Sequence, residues 1–118
     1  MARTTNIPLD QLASYLESFT KRFLQDGSPE AIDVQIVADD IGDQYATEGA
    51  RLRGITYEEN THHLEFELEA GDHRIADAQE VWAVEEPDGF VSALEVVHPD
   101  GSKDIATVKR VGMRRRED

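Results

Sequence analysis

Residues 81–108, VWAVEEPDGFVSALEVVHPDGSKDIATV, hold three apolar runs joined by two Pro-Asp-Gly turns whose glycines stand twelve positions apart. In each turn the proline, Pro87 or Pro99, presets φ near −65°. Gly89 or Gly101 then supplies the positive φ that a tight reversal needs and a Cβ would oppose. Two such reversals in succession predict an antiparallel meander, with strands ending in Val84, running from Phe90 to Val97, and running from Ile105 to Val108. Around Trp82 both alternation registers are apolar, so this strand is expected to be covered on both faces, one of them by a helix.

That helix is expected over residues 8–25. Leu9, Leu12, Leu16, Phe19 and Phe23 recur at spacings of three and four and so share one face. Pro8 suits the first turn, Asp10 lies near the positive end of the helix dipole, Lys21 and Arg22 lie near the negative end, and Gly27 stops it. After Gly27-Ser28-Pro29, the alternation Ile32, Val34, Ile36 predicts a strand with one wet face. Residues 44–57 are long for one strand and carry Gly49 and Gly54, which predict a strong bend. Residues 62–70 alternate most cleanly, with Leu64, Phe66 and Leu68 inward and His63, Glu65, Glu67 and Glu69 outward. A short extended run then opens with Asp72-His73-Arg74-Ile75.

A chain of 118 residues can bury roughly two-thirds of its unfolded surface in one core. With no cysteine it has no disulfide, thiolate metal ligand or thiol nucleophile. The 25 Asp and Glu against 12 Lys and Arg leave a formal charge of −13, which opposes nucleic acid and anionic membrane surfaces as partners. Residues 109–118 depart from this with a local +3, and read as a basic tail following a domain at 1–108. Only three lysines accompany the acidic excess, a balance suited to high internal salt, where self-repulsion is screened. The expected result is a melting temperature that rises between low and molar salt. Neither a signal-peptide core in MARTTNIPLDQL nor a run long enough to span a bilayer is present, which predicts a cytoplasmic protein.

Candidate chemistry is sparse. His62, His63 and His73 lie on consecutive predicted strands beside Asp72, and imidazoles with a carboxylate are zinc ligands. Adjacent His62 and His63 point to opposite faces of a regular strand, so at most one shares a face with His73. Asp72, His73 and Arg74 also make a candidate acid-base group, the carboxylate orienting the imidazole. The acidic stretch at 39–43 lacks the ligand spacing of a calcium loop, Ser92 and Ser102 lack a nucleophile-elbow context, and no glycine-rich phosphate loop precedes a helix. Trp82, Tyr57 and Phe66 read as core, with the lining of a ligand groove as the alternative.

The order of a Pro-started helix, Leu52-Arg53-Gly54-Ile55-Thr56-Tyr57, Leu64-Glu65-Phe66, Asp72-His73-Arg74-Ile75 and Leu94-Glu95-Val96-Val97 followed by Asp100-Gly101 resembles a family of short bacterial proteins known only as a domain of unknown function. The resemblance spans nearly the whole chain and implies a stand-alone bacterial domain. It brings no activity, cofactor or site residue with it.

The fold expected is α+β: an N-terminal amphipathic helix packed on a curled antiparallel meander of five or six strands, a small half-open barrel of Sm or SH3-like architecture. The function expected is a non-enzymatic interaction or assembly module, engaging a protein partner or a second copy through an unpaired edge strand and needing no cofactor. The alternative is a small metal-dependent or acid-base enzyme centred on Asp72, His73 and Arg74, with His62 or His63.

Overall fold

A computed structural model of the chain describes residues 1–24, 30–38 and 44–113. The helix stop at Gly27, the acidic stretch at 39–43 and the arginines at 114–116 lie outside the described residues. The elements are β1 (Arg3–Asn6), α1 (Leu9–Phe19), β2 (Glu30–Ala38), β3 (Gln44–Glu58), β4 (His63–Leu68), β5 (His73–Ile75), β6 (Glu80–Glu85), β7 (Val91–Val97) and β8 (Lys103–Met113). All eight strands belong to one antiparallel sheet in the order β1-β6-β7-β8-β2-β3-β4-β5.

The α+β class holds, with one α-helix near the N-terminus, but among the described residues the strand number is eight where five or six were expected. β1, of four residues, is the strand not foreseen, and it pairs with the longer β6. The extended run expected from Asp72 towards Val84 is split in two: β5, of three residues, pairs with β4, and β6 starts afresh at Glu80. The strand expected at 105–108 also runs further, since β8 pairs with β2 from Asp104 to Met113 and takes in residues placed in the tail.

The meander forms as the turns require. Gly89 N–H donates to the Glu86 carbonyl at 2.9 Å, Gly101 N–H to the His98 carbonyl at 2.9 Å, and both glycines have φ of +92°. Each is a tight turn closed by a left-handed glycine, with Asp88 and Asp100 accepting from the backbone N–H two residues on.

β3 turns the sheet. Its first half pairs with β2 as far as Arg51, its second half with β4 from Leu52 onward, and the register slips in both ladders. Gly49 at φ +71° lies within the first irregularity and Gly54 at the second, so the register slips of the kind that bend a strand fall where the glycines stand. Beyond Arg51 the β2-facing side of β3 has no strand neighbour in these ladders. At Ile55 the Thr20 side chain fills that role: its hydroxyl accepts from Ile55 N–H at 3.1 Å and donates to the Ile55 carbonyl at 3.2 Å. Thr20→Val keeps the shape and removes both bonds, and leaving these groups of buried Ile55 unpaired should cost about 1–3 kcal/mol in urea unfolding, with Thr20→Ser close to wild type. A loss under half a kilocalorie in the valine variant, roughly the scatter of surface substitutions, would contradict the role.

The helix lies against the inner face of this bent sheet. Leu12, Leu16 and Phe19 are buried as their spacing predicts, while Leu9 and Phe23 are half-buried at the two ends of the stripe. From Thr20 to Leu24 the coil widens into a π-helical turn. That turn sets Phe23 5.4 Å from Phe19 and 5.2 Å edge-on to Phe90, between ring centroids. The same core takes Ile32, Val34 and Ile36 from β2, Leu64 and Phe66 from β4, and Val81 and Ala83 from β6.

Trp82 departs from expectation. Val81 and Ala83 face the core, which puts Trp82 on the outer face, where it is half-buried and its indole N–H donates to exposed Glu80 at 3.1 Å. The helix covers one side of β6 only.

Candidate functional site

The residues singled out for chemistry are spread over both faces of β4 and β5. His73 stands opposite Phe66, on the core side of the sheet, and Arg74 stands opposite Glu65 on the outer side, so alternation parts the two side chains. Asp72 precedes the strand and is exposed. His63 shares the outer face with Glu65, its Nε2 3.9 Å from Glu65 Oε1, and its Nδ1 meets the Thr61 hydroxyl at 2.5 Å. His62 is in the turn before β4 at φ +56° and shares a 3.0 Å hydrogen bond with the Tyr57 hydroxyl through Nδ1. Among the described residues no three His, Asp or Glu side chains come together to hold a metal ion.

Two features escaped the sequence reading. At the base of the β6–β7 turn, the Arg110 guanidinium lies 4.0 Å above the Phe90 ring and donates to Asp88 Oδ2 at 2.6 Å, while Arg22 donates to the Asp88 carbonyl at 3.0 Å. The Arg110 hydrogen bond is the main reason the Asp88 carboxyl sits below the usual carboxylate range. This cluster locks the helix end, the turn and β8 together. In the sequence Arg110 belongs to the basic tail, because a local charge excess does not say which cation finds an aromatic face.

The second feature is an open cleft of about 650 Å³ between β1 and α1. Its strand wall comes from Thr5, Asn6 and Ile7, its helix wall from Gln11, Ser14 and Ser18, a face without charge. At one end Tyr15 donates to Glu85 Oε2 at 2.5 Å and Arg3 donates to Glu85 Oε1 at 3.1 Å. The Tyr15 bond is the largest cause holding the Glu85 carboxyl low, burial opposes it, and Arg3 adds to it. Burial first, then the Glu85 bond, pushes the Tyr15 phenol up.

A carboxyl whose folded value is depressed contributes stability that is present above its unfolded value and is lost as pH falls through the folded one. Tyr15→Phe should therefore lower stability at neutral pH and shrink the loss between about pH 7 and about pH 3, read from urea midpoints. An acid limb unchanged from wild type would show that Tyr15 does not hold Glu85.

Among the described residues β1 is the last strand on its side of the sheet. Ile7 N–H donates to the Val81 carbonyl at 2.9 Å, so Ile7, Thr5 and Arg3 aim their backbone groups at β6 and bury or half-bury the side chains at Thr5 and Ile7. By the same alternation Thr4 and Asn6 turn N–H and C=O away from the sheet. No basic or acidic side chain stands between Thr4 and Leu9. The opposite edge, β5, is shorter, is preceded by Asp72 and carries Arg74 at its centre, charges of the kind that discourage strand addition.

The chain matches the Family of unknown function (DUF5335) over residues 3–114, and belongs to it. It is also 32% identical over 109 residues to a protein of Aquifex aeolicus (strain VF5) named "Uncharacterized protein", covering 90% of this chain and 92% of that one. No solved structure matches the chain. The matched span includes β1, the helix and all the strands of the sheet. Among the described residues no helix is long and apolar enough to cross a membrane.

Proposed function

We propose that this protein is a non-enzymatic interaction module of the bacterial cytoplasm that takes up an extended segment of a protein partner on the open edge of β1. The observation that carries this reading is the pairing of two outward-facing residues, Thr4 and Asn6, with an adjoining cleft whose helix wall is uncharged. An incoming strand would gain four backbone hydrogen bonds from these two residues. At about 1 kcal/mol net each they supply about 4 kcal/mol, no more than the lower end of the roughly 4–15 kcal/mol that association itself costs. Tighter binding needs side chains of the segment to enter the cleft, alternate residues facing α1 while the others face solvent. The bend in β3 supports seeing the sheet as a half-open small barrel of Sm or SH3 type, used here at its edge.

Selection of extended heptapeptides on the immobilised full chain, followed by amide shift mapping with the selected peptides, tests the reading. Shifts centred on Thr4, Asn6, Gln11 and Ser14 are expected. Peptides that bind while leaving these amides unmoved would overturn it.

A further inference from the structure

We infer that the segment this edge accepts is β1 of a second copy of the chain, laid antiparallel about a two-fold axis at Thr5. The inference rests on the reading of β1 as the docking edge and names its occupant. In such a pair Thr4 of one copy stands opposite Asn6 of the other, twice over, so both outward residues of each strand exchange both of their bonds and none is left unmet. Pro8, which has no N–H, closes the ladder directly after Ile7.

Charge points the same way. With a formal charge of −13 two copies repel over most of their surface. Residues 1–9 contain no carboxylate, and the two charged side chains of the cleft, Arg3 and Glu85, already neutralise each other at 3.1 Å. This is therefore a region where a second copy meets little opposing charge. An axis normal to the sheet at Thr5 sets the two α1 helices on one side of the joined sheets, with their uncharged Gln11 and Ser14 faces flanking the joint. Because repulsion between the rest of the two surfaces is what salt screens, association strengthens as ionic strength rises, the opposite of an interface built on ion pairs.

Sedimentation equilibrium of the full chain at low and molar salt tests this. A monomer–dimer equilibrium is expected, with the dimer favoured at molar salt. Thr4→Pro removes an outward N–H from each copy and none from the β1–β6 ladder, so it should weaken the dimer about tenfold or more, while Thr4→Val should leave it unchanged. Isotope-filtered NOEs between Thr4 of one copy and Asn6 of the other, expected in the wild-type dimer, decide the matter if the proline variant does not fold. A strict monomer at molar salt, a dimer indifferent to Thr4→Pro in a folded variant, or a dimer lacking those NOEs would overturn the inference. The broader reading fails separately: a monomer whose Thr4 and Asn6 amides still shift with a selected heptapeptide keeps the edge as a docking site and rules out only the second copy.

Discussion

Leu16→Ala is expected to lower the unfolding free energy by about 2–5 kcal/mol, the range for emptying a well-packed leucine site. Leu16 is fully buried, midway along the helix stripe. The site has little room to collapse, because the chain is pinned on both sides of it. Before the helix, Ile7 N–H is bonded to β6; after it, the Thr20 hydroxyl is bonded to β3. The helix cannot slide inward without breaking one of these. In a domain of this size the change should appear as a melting temperature lower by roughly 10 °C or more, and as a lower urea midpoint at unchanged slope. A loss below about 1 kcal/mol would mean that the helix is not seated on the sheet as described.

Phe90→Ala should cost a similar amount, about 3–5 kcal/mol, for reasons that reach beyond its own volume. Phe90 is 2% exposed and touches two rings: Phe19 at 5.5 Å and Phe23 at 5.2 Å between centroids. It also carries the Arg110 guanidinium, so its removal strips that cation of the nearer of its two aromatic faces, leaving Phe23 at 5.5 Å and the bond to Asp88. Arg110→Ala and Phe90→Ala act on one network and should be non-additive, with a coupling of about 0.5–3 kcal/mol in a double-mutant cycle. Strict additivity would reduce the cluster to unrelated contacts.

Much of this was legible in the residues. The two Pro-Asp-Gly turns gave the β6-β7-β8 meander, because a left-handed glycine after a preset proline has few other uses. The leucine and phenylalanine spacing gave the helix and its buried face, and the alternation at Leu64, Phe66 and Glu65 gave β4 with its wet side. What the residues did not give depends on partners remote in sequence. Arg3-Thr4-Thr5-Asn6 has no apolar residue to betray a strand. It becomes one because β6, nearly eighty positions away, holds it, so the residues alone do not say which strand ends the sheet on that side. The side that Trp82 faces was undecidable while both registers around it were apolar. Arg110 was hidden in a charge excess, although a strand reaching Met113 carries it to Phe90. As for Asp72, His73 and Arg74, closeness in sequence suggested a site, but in β5 the imidazole and the guanidinium part to opposite faces.

The claim on which the rest depends is that β1 ends the sheet with two backbone positions free for a partner. Amide hydrogen exchange along residues 3–7 tests it directly, comparing dilute protein with protein saturated by a binding peptide or by its own dimerisation. The account predicts that Thr5 and Ile7 are protected in both states, while Thr4 and Asn6 exchange freely in the dilute protein and slow only in the bound one. Protection of Thr4 and Asn6 already equal to that of Thr5 in the dilute monomer, or no slowing on saturation, would contradict it.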